Sequence, residues 1–341
     1  MIKWSPTRIN IANYCTMRYY LRYVLKETPI IQPEYVKGNL IHDIIKNFWK
    51  NLGETQDVGI RGRKKYSNAK EFSDYAKRKW DSLCIKFEKS QLKREITWNY
   101  ERERWDIRRQ LEKICYHLFP ILVEEGPPLF SELDYEFILF NKNFIGKIDE
   151  IRRRNDFVII RDYKSGRPYM GEMKLNFDPQ LTIYSVALSG LIRKDKELAE
   201  KLGINEEDIN IFKENQRYIL PFVKQEFFMV EAPYKNTEGK GLRIINETTR
   251  TDAHFFEVIK MIDSIERRIR LGEIVPERGR KCDSCDLKYS CAQKIKDVNK
   301  GEFTTKIGQF VLDFDIPHFA KRDEKYEKRK RSIQRKLNLL K

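Results

Sequence analysis

Hydrophobic and polar positions alternate along the chain in three textures. Over 35–52, Val36, Leu40, Ile41, Ile44, Ile45 and Phe48 recur at helical spacing and predict an amphipathic helix. Before it, Ser5-Pro6 reads as a helix start, Ser capping and Pro at the first helical position, so a helix is expected over 5–26. Residues 53–66 are Gly-rich, basic and loop-like. Residues 68–125 read as helical and heavily charged, with Phe72, Trp80, Trp105 and Leu111 as anchors. At Gly126-Pro127-Pro128 the texture changes: Leu133, Tyr135, Phe137 and Leu139 alternate with polar residues, the period of a half-buried strand. Turns at Asn141-Lys142-Asn143 and Arg154-Asn155-Asp156 introduce runs over 144–151 and 157–163, which completes a β-meander. Asp178-Pro179 then opens a helix over 180–192. Strands are expected over 218–223 and 226–230, and a helix over 251–271 with Phe255, Ile259, Ile262, Ile265 and Ile269 on one stripe. Helices, then a sheet, then helices make a mixed α/β fold.

Composition narrows this plan. The chain has 341 residues, 40% hydrophobic and 12% aromatic, enough for a sizeable core and for two domains or one with a large insertion. No run of about 18 apolar residues exists to span a membrane, and the first residues lack the apolar stretch of a signal peptide. A soluble cytoplasmic protein is therefore expected. The formal net charge of +16 favours polyanions, nucleic acid first and an anionic membrane surface second. Residues 319–341 hold ten Lys/Arg against three Asp/Glu, so +9 remains without them. That tail is equally well read as a solvated basic end or as a grip on DNA.

Candidate chemistry gathers in the meander. Gly146-Lys147-Ile148-Asp149 lies on its second strand and Asp162-Tyr163-Lys164 ends its third, where the period of two puts Asp162 and Lys164 on one face. Two carboxylates at a strand end suit a hard divalent cation completed by substrate phosphate. The lysine would orient or deprotonate an attacking water, or stabilise developing charge. The alternative is an ordinary Asp–Lys surface pair. His42 falls outside the apolar stripe of its helix, with Gly38 one turn earlier leaving clearance for a ligand, as a metal ligand would require. Gln180 and Tyr184, at i and i+4, share a helix face and could hold a phosphate or a base, or be a plain surface pair. Of six cysteines, Cys282, Cys285 and Cys291 cluster within ten residues and suggest a metal site. A fourth ligand must come from afar, and Cys15 is the natural candidate. Cys84 and Cys115 read as small buried residues.

The ordered set Gly38…His42, Gly146…Asp149, Asp162…Lys164 and Gln180…Tyr184 resembles the PD-(D/E)XK nucleases of RecB type, although Ile148 replaces the Pro of the family's name. The resemblance implies a restriction-endonuclease-like mixed sheet flanked by helices. It implies His42, Asp149, Asp162 and the Tyr163 carbonyl as ligands of Mg²⁺ or Mn²⁺, Lys164 as the catalytic lysine, and Gln180 and Tyr184 as supports for the site or the DNA strand. Cys15 with Cys282-x2-Cys285-x5-Cys291 is similar to the iron–sulfur staple of AddB-type nucleases and of CRISPR-associated spacer-acquisition nucleases, so a [4Fe–4S] cluster is expected, with Zn²⁺ as the alternative.

The expected organisation is N-terminal core helices with one cluster cysteine (1–52), a helical insertion (53–125), the nuclease core (126–275), the cysteine segment (276–300) and a basic extension (301–341). The expected activity is metal-dependent hydrolysis of DNA, as an exonuclease on single-stranded ends in repair, recombination or foreign-DNA processing. The rival is a DNA-binding or scaffolding subunit whose nuclease needs a helicase or integrase partner. An RNA substrate is the weaker third.

Overall fold

The computed structural model describes residues 2–29, 33–53, 65–90, 100–165, 172–205, 207, 209–210, 217–231, 245–277, 282 and 285–299. The basic extension 301–341, most of the 53–66 loop, and Gly166 and Arg167 lie outside the described residues. In chain order the elements are β1 (Lys3–Trp4), α1 (Pro6–Tyr14), α2 (Thr16–Tyr19), a π-helical turn Tyr20–Val24, α3 (Pro33–Lys46) and α4 (Phe48–Asn51). There follow α5 (Ala69–Ser90), α6 (Tyr100–Glu125), β2 (Phe130–Leu139), β3 (Lys142–Arg154), β4 (Phe157–Lys164) and α7 (Glu172–Phe177). The described chain closes with α8 (Pro179–Lys194), α9 (Lys196–Lys201), β5 (Val223–Met229), β6 (Ile245–Thr248), α10 (Asp252–Leu271) and α11 (Lys288–Asn299). No described helix is long and apolar enough to cross a membrane.

The chain divides into two compact units. The first comprises Met1–Pro6, Glu34–Ser82 and Glu101–Ile259; the second comprises Thr7–Pro33, Leu83–Tyr100 and Lys260–Lys341. The first unit holds the sheet, whose strands run β1-β3-β4-β5-β6 with β2 on the far edge of β3. β1·β3 and β4·β5 are parallel and the other pairings antiparallel, so the sheet is mixed. The meander forms as expected. Its first turn falls one residue early, with Phe140 and Asn141 both in the left-handed region at φ 51° and 55°, the twist a tight hairpin needs. Phe140 is a strained choice there, and its ring packs on Tyr218, Phe255 and Phe256. α8 is buried almost all round and packs on β2, β4 and β5.

Several expectations are corrected. The helix over 5–26 breaks at Cys15, whose backbone is extended (φ −165°, ψ 112°) and whose Sγ accepts from the Arg18 N–H, so a thiol caps α2 where no usual capping residue stands. The helix over 35–52 divides at Asn47, whose side-chain amide donates to the Asp43 carbonyl. Phe72, Trp80 and Leu111 are fully buried, but Trp105 is 60% exposed and anchors nothing. The two strands expected over 218–230 are one, Val223–Met229, and its antiparallel neighbour is the unforeseen β6. Cys84 and Cys115 are fully buried, as read from the sequence.

A charged ladder runs through this sheet. Register places Arg161 of β4 between Glu150 of β3 and Glu226 of β5. Its guanidinium, with no exposed surface, bonds Glu226 and, from the end of α6, Glu125, and lies 4.7 Å over the Phe228 ring. Burial alone would make the Arg161 cation easier to discharge; the surrounding carboxylates outweigh that and raise its pKa. Removing one partner of a buried ion pair strands the other charge away from water. Arg161→Met is therefore expected to cost about 3–5 kcal/mol of stability in urea unfolding; a loss under about 1 kcal/mol would show that the three carboxylates do not depend on it.

Candidate active site

Asp149 sits where β3 has lost its neighbours. On one edge of β3, β1 pairs with Asn143 and Phe144 and β4 pairs with 150–154, so 145–149 stand unpaired between them. On the other edge, β2 pairs on both sides of the Glu132–Asp149 position but not at it. Glu132 is in the left-handed region there, at φ 55°. The β3–β4 ladder ends at Glu150–Arg161, one step before Asp149 and Asp162 would meet. The freed Tyr163 N–H donates to Asp149 Oδ2 at 3.2 Å instead. A carboxylate therefore takes the place of a lost ladder bond.

Asp162 is 1% exposed and tied to α8. Gln180 Nε2 donates to Asp162 Oδ1 at 2.5 Å and to the Tyr184 hydroxyl at 2.9 Å, while Gln180 Oε1 accepts from Lys164 Nζ at 2.7 Å. Lys164 Nζ also lies 2.6 Å from Asp162 Oδ2, so both oxygens of this buried carboxylate have a partner. Gln180 stands here because Asp178 caps α8 by accepting the Gln180 N–H at 2.8 Å, with Pro179 next. Gln180 and Tyr184 are therefore buttresses of Asp162 and Lys164 rather than an open surface pair. Gly146 completes the support, since a Cβ there would collide with the Tyr135 hydroxyl, whose ring packs on Tyr184.

α3 brings His42 to the same place. Its stripe Val36, Leu40, Ile41, Ile44 and Ile45 is buried, and His42, off that stripe, sets Nδ1 3.3 Å from Asp149 Oδ2. The clearance at Gly38 is taken by the chain itself, because a Cβ there would lie 2.8 Å from Ser165 Oγ. Glycine lets α3 close on the end of β4. Lys37, beside it, is buried on Glu231 at 2.6 Å, just past β5.

The electrostatics follow from burial and like charge. Burial lowers the His42 pKa, opposed by Asp162 and by a hydrogen bond with the Tyr163 backbone, which leaves the imidazole neutral and able to donate a lone pair. Burial alone would lower the Lys164 pKa; Asp162 outweighs it, so the side chain stays an ammonium. As such it is a positive charge and a hydrogen-bond donor held beside Asp162. Burial and then the Asp162 charge hold Asp149 well above the usual carboxylate range.

Two crowded carboxylates, one of them paired with Lys164, and a neutral imidazole are donor types that a divalent cation takes. Among the described residues, no three His, Cys, Asp or Glu side chains already stand in metal-binding geometry. The same holds for the four thiols of the second unit. There Cys15, Cys285 and Cys291 pack against the apolar cluster of Met17, Leu21, Ile274, Leu287 and Ile295, and Cys282 Sγ lies 3.6 Å from the Glu277 carbonyl oxygen. All four are free. Burial, reinforced by Cys15, Cys285 and Cys282, pushes the Cys291 thiol up to about 12.

Sequence reasoning missed Glu132, whose charge acts on both Asp149 and His42. Nothing in its local pattern marks it, because its role comes from cross-strand position. It also missed Lys37 and Tyr135.

A carboxyl whose pKa is raised in the folded chain holds its proton there longer than in the unfolded chain. Ionising it above the usual value of about 3.9 therefore lowers stability as pH rises. In buffer containing a chelator, Asp149→Asn is expected to be more stable than wild type near neutral pH, the difference closing as the pH falls through the raised folded pKa and gone below about 4. Urea midpoints across that range check it, and equal midpoints at neutral pH would contradict it.

With the geometry described, comparison adds the lineage. No curated protein matches the chain by sequence. Among solved structures it is similar to a candidate exonuclease from Eubacterium rectale, at 11% identity and a TM-score of 0.39, over 84% of this chain and 87% of that one. The model of the PD-(D/E)XK nuclease superfamily matches residues 3–292, which include His42, Asp149, Asp162 and Lys164. A match over that much of the chain settles the lineage: this protein belongs to the PD-(D/E)XK nuclease superfamily.

Proposed function

We propose that the chain is a divalent-metal-dependent deoxyribonuclease of RecB type, acting from single-stranded ends in repair, recombination or foreign-DNA processing. The observation that carries the reading is the convergence of Asp149, Asp162 and Lys164 where the β3–β4 ladder ends. Asp149 and Asp162, with His42 and the Tyr163 carbonyl, would hold Mg²⁺ or Mn²⁺, and the like charge that raises the Asp149 pKa is what a cation there would relieve. When bound, such an ion polarises the scissile phosphate and acidifies a water. Lys164, kept charged by Asp162 and oriented by Gln180, offers an ammonium donor to the charge that develops on phosphate. Gln180 holds both Asp162 and Lys164, so the acid and the cation keep one geometry. A helicase or integrase partner is part of this reading by family analogy alone.

The second unit is read as a staple: Cys15, Cys282, Cys285 and Cys291 as thiolate ligands of a [4Fe–4S] cluster. Cys15, Cys285 and Cys291 pack around one small apolar cluster, and Cys282 is near enough to act on the Cys291 thiol, which supports it. Ligation to a metal would offset the cost that burial places on deprotonating these thiols, with the protons released to solvent.

End-labelled linear single-stranded DNA with Mg²⁺ or Mn²⁺ is expected to be degraded by wild type, with Lys164→Ala reducing the rate about a hundredfold or more, the scale of losing one such charge donor. Circular single strands should be spared. Cutting of circles at the same rate would replace exonuclease with endonuclease, and an inert wild type would overturn the nuclease reading.

Protein purified without oxygen is expected to be brown with about four irons per chain, and Cys291→Ala to lose them. Stoichiometric zinc without iron would replace the cluster with a Cys₄ zinc site.

A further inference from the structure

Beside the acidic pair lies a charged group that the nuclease reading leaves unused. Glu132 stands opposite Asp149 on β2, and its Oε2 accepts from Lys46 Nζ and, at 3.1 Å, from Lys147 Nζ. Lys46 is four residues beyond His42, on the same side of α3. Lys147 is two residues before Asp149 and also lies 3.6 Å from Asp134. Both lysine side chains are open to solvent, 38% and 43% exposed, while the glutamate holding them is the more enclosed at 27%.

Stability does not account for this arrangement. Exposed lysine–carboxylate pairs contribute little to folding, whereas a non-glycine residue in the left-handed region inside a strand costs more than such a pair supplies. Glu132 is held in that conformation at φ 55°. Backbone strain beside a reaction centre goes with placing a group for function. Here the groups placed are two ammonium ions on one acceptor, and a phosphodiester oxygen is an acceptor of the same charge and reach.

We propose that Lys46 and Lys147, gathered by Glu132, form a phosphate subsite that grips the nucleic-acid strand at a phosphodiester next to the one at Asp149 and Asp162. This rests on the nuclease reading and adds to it the residues that hold the uncut part of the strand. A strand entering there brings its phosphate to the open side of both ammonium groups, and Glu132 keeps them aimed in the unbound chain.

Contacts to phosphate are counted by salt. For single strands each neutralised phosphate contributes about −0.7 to the slope of log K against log salt. Binding of a fluorescein-labelled oligo-dT by the Lys164→Ala chain, followed by anisotropy in chelator over a NaCl series, reads that slope. Lys46→Gln and Lys147→Gln should each make it shallower, the pair together by about 0.7, the share of one phosphate, and Lys46→Arg should keep it. In the otherwise native enzyme the two Gln variants should raise KM severalfold with kcat within about twofold, the pattern of lost uniform binding. Unchanged slopes in an enzyme that still cleaves would overturn the subsite and leave the nuclease reading standing. A wild-type chain that neither binds the oligonucleotide nor cleaves DNA would overturn both.

Discussion

Everything at the site depends on one departure from regular pairing: β3 loses its neighbours on both edges at Asp149. A continuous ladder would satisfy the Tyr163 N–H with a carbonyl and press Asp149 and Asp162 into adjacent, fully paired positions. Ending the ladder one step early leaves a notch, and the side chains repair it. Asp149 accepts the freed N–H, His42 closes over it from α3, and Gln180 reaches in from α8. The price is two carboxylates close together in a half-buried place, which is why Asp149 resists ionisation. That repulsion is also what a cation would relieve. The defect in the sheet and the chemistry of the site are the same feature.

The notch is tolerated because its surroundings are rigid. Directly behind the Asp162 strand position, Arg161 joins β3, β5 and the end of α6 through Glu150, Glu226 and Glu125. The Tyr163 hydroxyl adds a bond to Glu150 at 2.6 Å. Ion pairs of this kind are weak sources of net stability, since each charge must leave water. Their geometry is strict, however, and a strand held through three partners cannot slide by a residue. A slip of one residue would exchange Asp162 for Arg161 on the face that meets α8. The buried network makes that exchange prohibitive.

Much of this was legible in the sequence, and the limits follow physical lines. The α3 stripe, the meander, the Asp178-Pro179 helix start and the Asp162-x-Lys164 pair are local patterns with a period or a cap, and each formed, the α3 helix ending sooner and the meander's first turn one residue earlier than expected. β1 and β6 were not legible, because strands of two and four residues carry no period and exist only through their partners. The break at Cys15 was hidden because a thiol is not a usual cap. Trp105 was misjudged because an aromatic on a charged helix has no periodic neighbours to decide which way it faces. Glycine was half read: Gly38 does mark close approach, but what approaches is Ser165, and the need for Gly146 beneath Tyr135 was not foreseen. Glu132 was beyond reach, since its importance is its position across from Asp149.

The charge balance of the site bears on how it would select its moment to bind. Asp149, Asp162, Glu132 and Asp134 stand among Lys164, Lys46 and Lys147, with His42 neutral, so the cluster is far less positive than the chain's +16 suggests. Such a cluster holds a phosphate by the aim of its ammonium groups more than by net charge. On the proposed reading, a divalent cation held by Asp149 and Asp162 would add positive charge, and the strand would then be held more tightly than by the empty chain. The coupling is reciprocal by thermodynamic necessity: whatever the cation adds to the affinity for the strand, the strand adds to the affinity for the cation. Crowding two carboxylates, which is why the Asp149 pKa is raised, costs stability in the empty chain, and on this reading it makes the two binding events support each other.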